Sequence, residues 1–165
     1  MNKYLIALLL FITASIPSFS QEKEPALVFV GAGVFNIVKY PKLPQLQLEY
    51  VFSEGYYKTY PFTIRPMIGI TANSRYGNFT YGGVRFDIFA SKKIVFTPSF
   101  APGFYFKGKG KDLHFPLEFR SSMEMAYVLD NKMRLGAQFY HISNASLGKK
   151  NPGVESLIFF VAIPL

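Results

Sequence analysis

The chain has 165 residues, no cysteine and a formal net charge of +8. The absence of cysteine excludes a disulfide-stapled fold and a lipoprotein anchored through a cysteine. Half of the residues are hydrophobic, yet 13 glycines, 11 prolines and 11 tyrosines are spread along the chain, a composition that disfavours long helices and favours many strands.

The first 20 residues have the pattern of a secretory signal peptide. Lys3 supplies positive charge, Tyr4 to Ile12 is an unbroken apolar run, and small residues stand at Ser18 and Ser20. The apolar run is about half the length of a membrane-spanning helix, so we expect cleavage near Ser20 after Sec export. Residues 21–165 then form one domain. Export excludes nucleic acid as a partner and indicates an anionic membrane surface or an acidic lipid.

Eight segments follow whose length is close to the ~9–11 residues of a strand that crosses a membrane. Residues typical of turns separate them. Pro98 and Pro102 lie in the fifth segment, where each lacks an N–H donor, so we expect a bulge or bend there. The predicted strands cover residues 27–36, 43–53, 62–73, 78–89, 93–106, 116–129, 132–143 and 154–164.

Polar and apolar side chains alternate along these segments, and alternate residues of a strand face opposite sides. In the second segment Leu46 and Leu48 share one face, and Gln47 and Glu49 share the other. A soluble sandwich or lipocalin-like barrel would need a polar outer face, but only loops remain polar here. We therefore predict an all-β, eight-stranded antiparallel transmembrane β-barrel of the outer-membrane type. Its interior would hold four bases and four acids: Arg65, Arg85, Arg120, Arg134, Glu49, Asp87, Glu118 and Glu124.

The longer connections carry most of the loop charge. Periplasmic turns of such barrels are short and external loops are longer, so the longer connections are predicted to face outward. Such a rim is suited to the phosphates of lipopolysaccharide, although lysine-rich loops are also often only solvated. The basic residues are Lys39, Lys42, Arg75, Lys107, Lys109, Lys111, Lys149 and Lys150, against Asp112 alone among acids.

Three polar residues fall on the predicted lipid-facing side at the outer ends of the last two strands. His141 and Ser143 are two residues apart and continue the apolar face of Phe139, while Glu155 shares the face of Leu157. A carboxylate facing hydrocarbon is costly unless it is paired. A serine beside an imidazole that a carboxylate orients is an activated nucleophile. By spacing alone, a cluster of polar anchors at the rim is an equally good interpretation.

These residues and their surroundings closely resemble the lipid A 3-O-deacylase (PagL-like) family. The matching pieces are His141-Ile142-Ser143-Asn144, then Asn151-Pro152-Gly153 and Glu155-Ser156, about 20 residues in all. The resemblance implies that Ser143 is the nucleophile, His141 the general base and Glu155 its orienting acid. Asn144 and Asn151 match positions that stabilise the oxyanion. The chain departs from the usual outer-membrane pattern by ending in Ile163-Pro164-Leu165 without a terminal aromatic residue.

The resemblance implies an integral outer-membrane carboxylic ester hydrolase that removes the 3-O-linked hydroxyacyl chain of lipid A without a cofactor. Lys149 and Lys150 are the predicted contacts to the phosphates of this substrate. No metal site is expected, because His114 has no second histidine or cysteine near it. Two alternatives remain: a non-enzymatic barrel that serves adhesion or membrane stability, and a barrel acyltransferase with its chain pocket inside. The sequence also leaves open whether the barrel forms a homodimer.

Overall fold

The computed structural model describes residues 24–55, 57–59 and 61–165, with side chains described outside residues 56–60. The predicted signal peptide, residues 1–20, lies outside the described residues. No helix in the described part of the chain is long and apolar enough to cross a membrane. The strands are β1 (Leu27–Phe35), β2 (Leu43–Val51), β3 (Tyr57–Thr59), β4 (Phe62–Asn73), β5 (Asn78–Ser91), β6 (Ile94–Phe106), β7 (Leu117–Val128), β8 (Arg134–Ser143) and β9 (Val154–Pro164).

The sheet closes on itself. Long strands that are consecutive in the chain pair antiparallel, β1 also pairs with β9, and β2 pairs with β4. Eight long strands thus form a closed antiparallel barrel, which confirms the predicted fold class. The short strand β3 was not predicted. It pairs with Phe62 to Ile64 of β4, beyond the point where β2 stops pairing opposite Met67, and so covers backbone groups that would otherwise form an open edge.

The bulge expected at Pro98 and Pro102 is not there. β6 runs without interruption from Ile94 to Phe106, and its register with β7 continues through both prolines. Its register with β5 is the same on either side of each proline and shifts only at Ser91, beside the β5–β6 turn. The prediction was wrong because a missing N–H donor removes one ladder bond without requiring an extra residue in the strand.

The two faces of the barrel wall follow the predicted alternation. On β2, Leu46 and Leu48 are exposed while Gln47 and Glu49 are buried. On β7, Met123 and Met125 are exposed, and the charged residues between and before them are buried. An apolar outer belt around a polar interior is the arrangement of a membrane barrel, because hydrocarbon replaces water around the wall.

Arg85 lies at the centre of an ion network inside the barrel. Its guanidinium group contacts Glu49 at 3.1 Å, Asp87 at 3.2 Å and Glu124 at 2.8 Å, and these side chains are at most 1% exposed. A buried charge is tolerated when it is paired and hydrogen-bonded, so each acid here requires its arginine. Asp87 also contacts Arg65 at 2.7 Å and Arg134 at 3.0 Å, and it accepts a hydrogen bond from the Thr97 hydroxyl at 2.8 Å.

Arg120 fills the part of the interior nearer to the β8–β9 loop. Its guanidinium carbon lies 4.5 Å from the centre of the Tyr81 ring and 4.8 Å from that of Tyr140, and one of its nitrogens is 3.6 Å from Glu49.

Glu118 is the exception among the predicted interior acids, because neither of its carboxylate oxygens has a hydrogen-bond partner among the described residues. The paired arginines and acids fill the barrel interior. A barrel acyltransferase, one of the two alternatives left open by the sequence, would hold its acyl chain in that space.

Candidate active site

The residues singled out from the sequence meet at one end of the barrel, on two adjacent strands. His141 lies near the end of β8 and Glu155 near the start of β9, and the two are register partners. Tyr140 and Ile142 alternate with them and point into the barrel, where they are buried. The pleat therefore turns His141, Ser143 and Glu155 towards the outer wall, as the parity predicted.

The imidazole of His141 contacts the carboxylate of Glu155. Nδ1 lies 3.1 Å from Oε1, and the side chains are 43% and 26% exposed. A neutral imidazole that donates its Nδ1–H to a carboxylate keeps Nε2 as an acceptor. The pair therefore leaves His141 with one ring nitrogen available to take a proton.

Ser143 lies on the same face as His141, one pleat further along β8. Residues two apart in a strand are separated by about 7 Å between Cα atoms, which places the two side chains next to each other. Within the described residues the Ser143 hydroxyl makes no hydrogen bond with His141. Contacts between a nucleophile and its base are often long without substrate and tighten when substrate binds. The structure thus brings together the predicted acid and the predicted base and leaves the predicted nucleophile beside them.

The wall around these three residues is apolar. Phe139 precedes His141 on the outer face of β8, and Phe159 lies on the outer face of β9, both exposed. Beyond Ser143 the strand ends and the loops begin. The polar cluster is therefore at the boundary between the apolar belt and the loop region, where the ester groups of a lipid would meet the wall.

Asn144 ties two loops to the strand end that carries Ser143. Its buried side-chain nitrogen donates to the carbonyl oxygens of Leu113 at 3.3 Å and Lys150 at 2.9 Å, and its backbone N–H donates to Oδ1 of Asn151 at 3.1 Å. Both N–H groups of the Asn144 amide are thus directed at backbone carbonyls. Asn151 is exposed. It accepts this hydrogen bond through its side-chain oxygen, so its side-chain nitrogen takes no part in the bond.

Lys149 and Lys150 are exposed on the β8–β9 loop, residues 144–153. Together with Phe115 and Leu147 they line a groove of about 480 Å³ between this loop and the β6–β7 loop, residues 107–116. The groove combines an apolar surface with two ammonium groups. Such a surface is suited to an amphiphilic anion.

Lys111 approaches the site from the β6–β7 loop, a position that the sequence did not reveal. Its ammonium group donates to Oδ1 of Asn36 at 3.1 Å. Burial and the neighbouring Lys39 lower the pKa of Lys111, whereas the carboxylate of Glu155 acts in the opposite direction. Lys111 is therefore within electrostatic range of the Glu155 carboxylate. From the sequence, Lys111 was recognised only as one of the eight basic loop residues.

No group of three or more histidine, cysteine, aspartate or glutamate side chains in the described part of the chain is arranged to hold a metal ion.

All eight basic residues predicted for the rim lie in the four loops at the end of the barrel that carries the site, which we call the site rim: residues 36–42, 74–77, 107–116 and 144–153.

The sequence model of the family described as lipid A 3-O-deacylase (PagL) matches residues 44–164, a range that includes the three candidate catalytic residues. The chain belongs to this family. The crystal structure of the outer membrane enzyme PagL is similar to this chain with a TM-score of 0.70 and 19% identity, and the match covers 84% of this chain and 99% of that one. A designed transmembrane β-barrel matches with a TM-score of 0.58 and 12% identity, over 89% of this chain and 100% of that one. No curated protein sequence matches the chain.

Membership of the PagL family agrees with the barrel and with its outer-membrane location. At 19% identity the structural likeness to PagL shows the shared fold.

Proposed function

We propose that this member of the PagL family is an outer-membrane serine esterase that hydrolyses the 3-O-linked hydroxyacyl chain of lipid A. The observation that carries the proposal is the hydrogen-bonded pair of His141 and Glu155 on the lipid-facing wall, with Ser143 beside it. An acid–base–nucleophile set on this wall has an apolar surface next to it and no access to the barrel interior. The substrate must then be an ester that reaches the wall from the membrane.

The reaction would be acyl transfer to Ser143 followed by transfer to water. Nε2 of His141 takes the hydroxyl proton as Ser143 Oγ attacks the ester carbonyl, and Glu155 stabilises the imidazolium that forms. The tetrahedral intermediate collapses to an acyl-enzyme, and the sugar alcohol leaves with the proton from His141. A water molecule, deprotonated by His141, then releases the hydroxy fatty acid and regenerates Ser143. These steps require no cofactor.

The oxyanion of the intermediate needs donors on the loop side of Ser143. In the proposed mechanism Asn151 would supply its amide nitrogen, and Asn144 supports it by donating its backbone N–H to Oδ1 of Asn151 at 3.1 Å. In this proposal the two asparagines form one unit, in which Asn144 orders the loop and Asn151 faces the substrate.

The charge of the site rim supports the choice of substrate. Lipid A carries phosphates at the membrane interface, and Lys149 and Lys150 are exposed on the site rim, where they line a partly apolar groove. Contacts between ammonium groups and phosphates would orient the lipid, and its acyl chains would lie along the apolar wall. The site rim then faces the outside of the cell.

Mass spectrometry of lipid A tests the proposal directly. Cells that produce the wild-type protein should show lipid A that has lost the mass of one 3-hydroxyacyl chain, and cells that produce Ser143→Ala should keep it. A gain of an acyl mass would instead indicate an acyltransferase. Unchanged lipid A with a correctly inserted wild-type barrel would indicate a non-enzymatic role and overturn the proposal.

A further inference from the structure

Gly153 is the last loop residue before β9 and stands two residues before Glu155. It is buried, and its φ of +57° lies in the left-handed region that glycine adopts without steric cost. The backbone at this residue turns the chain from the β8–β9 loop into β9. The conformation of Gly153 therefore sets the direction in which β9 starts, and with it the position of Glu155.

The missing side chain of Gly153 also makes room for the imidazole of His141. A Cβ atom at residue 153 would lie 2.7 Å from Cε1 and 3.3 Å from Nε2 of His141. Cε1 is the ring atom between Nδ1, which contacts Glu155, and Nε2. The backbone of Gly153 therefore packs directly against the edge of the ring that carries out the proposed proton transfer.

We propose that Gly153 is a positioning residue for His141, and the inference rests on the function proposed above. On one side the ring is bound through Nδ1 to Glu155, and on the other it is confined by the Gly153 backbone. These two contacts hold Nε2 in one orientation relative to Ser143. Gly153 itself contributes no chemical group to the proposed reaction.

A side chain at this position would act on the ring more than on the fold. The two nearest atoms that it would meet belong to the end of the half-exposed His141 side chain, which can rotate away about its side-chain torsions. The third, the carbonyl oxygen of Ile142, would lie at 3.5 Å, an ordinary contact distance. Rotation would either lengthen the contact between Nδ1 and Oε1 or turn Nε2 away from Ser143. A displacement of about 1 Å in a catalytic group can cost roughly 100-fold in rate.

The first test is Gly153→Ala, with Gly108→Ala as its matched control. Gly108 also has a positive φ, of +53°, but a Cβ there would meet the backbone of Tyr76 and Arg75, away from His141. In ¹⁵N NMR spectra of the folded barrel in detergent micelles, the wild type should show a proton on Nδ1 of neutral His141. Gly153→Ala should shift the His141 ring signals towards a mixture of tautomers, and Gly108→Ala should leave them unchanged. The His114 signals are assigned with His114→Gln.

The second test is a double-mutant cycle measured as hydrolysis of purified lipid A in mixed micelles. Gly153→Ala should lower kcat by roughly 100-fold in the wild-type background and by less than about twofold in the His141→Ala background, since coupled residues are non-additive. An equal loss in both backgrounds, or His141 ring signals identical to wild type, would overturn the positioning role. If the wild type does not hydrolyse lipid A, the proposed function fails while the NMR result still decides the role of Gly153.

Gly153→Asn keeps the experiment decisive if Gly153→Ala does not fold. Asparagine tolerates the left-handed region, and this chain itself has asparagine at φ 60° at Asn36. The variant therefore adds the Cβ contact with little backbone strain. It should show the same changes in the His141 signals and in kcat, and wild-type values for both would contradict the inference.

Discussion

The barrel contains two sets of paired ionisable groups, one in its interior and one on its outer wall. They differ in how many of their polar atoms have a partner. In the interior, Arg85 contacts Glu49, Asp87 and Glu124, and all are almost fully buried. On the outer wall, Glu155 is the ion-pair partner of His141, and both remain partly exposed. The interior set has acids and bases that satisfy each other in several directions. The wall set leaves a ring nitrogen and the Ser143 hydroxyl available.

The difference separates stability from chemistry. A buried network keeps its ions only while each is paired, so loss of one member leaves the others as uncompensated charges. A pair on the wall can lose a member at little cost to the fold, because loops and the membrane interface supply water. We therefore expect interior substitutions to affect folding and wall substitutions to affect catalysis, and the following predictions test that division.

The largest effect is expected at Ser143 and His141. Ser143→Ala or His141→Ala should lower kcat/KM for lipid A by at least about 10³-fold, and the double variant should be scarcely worse than either single one, because members of a triad act as a unit. Both variants should still migrate faster on SDS gels without heating than after it, as folded barrels do. Wild-type release of 3-hydroxy fatty acid by Ser143→Ala would show that the catalytic assignment is wrong.

Arg85→Met should have the opposite profile. It leaves Glu49, Asp87 and Glu124 without their shared arginine, and breaking a buried pair lowers the free energy of unfolding by about 3–5 kcal/mol. Urea unfolding, followed by the folded band on unheated gels, measures the loss, and kcat of the folded fraction should stay near that of the wild type. Lys107→Met, which removes an exposed contact of 2.6 Å with Asp112, is the control and should not measurably change unfolding. Equal stability of the two variants would mean that the interior network is dispensable.

Glu155→Gln sharpens the comparison, because it removes a charge from the wall set while preserving shape. The loss in kcat should be smaller than for His141→Ala and within the roughly 10²- to 10⁴-fold that general-base catalysis contributes, since the amide oxygen still accepts from Nδ1–H. Urea unfolding should match the wild type. A stability loss as large as that of Arg85→Met would place Glu155 with the structural charges instead.

The smallest effect is expected on the loops. Changing Lys149 and Lys150 together to Gln should weaken action on lipid A in membranes up to roughly 30-fold at low salt, given about 1 kcal/mol for each lysine near an anionic surface. The difference should shrink at high salt, because exposed charges are screened. The matched control changes Lys92 and Lys93, a pair of lysines at the opposite end of the barrel, and should behave as wild type. The same activity in both double variants at every salt concentration would show that Lys149 and Lys150 are only solvated.

The strands and their faces were predictable from the sequence because alternation is a local property. Each outward leucine or methionine and each inward charge follows from its position along its own strand. The same parity placed His141, Ser143 and Glu155 on the outer wall, and the spacing of the last two strands put them at one end. Pro98 and Pro102 were misleading: the missing N–H donors favoured a bulge, but β6 continues through both prolines without an extra residue.

Contacts between distant parts of the chain were decided only by the tertiary structure. Closure of β1 onto β9 sets the ring of strands, and the stagger of that ring brings Arg85 to three acids, whereas the Glu118 carboxylate has no hydrogen-bond partner within the described part of the chain. The approach of Lys111 to Glu155 depends on how a loop folds over the rim. The packing of Gly153 against His141 depends on the path of the chain into β9. Distances of this kind depend on barrel geometry and loop conformation, which no pattern within a single strand encodes.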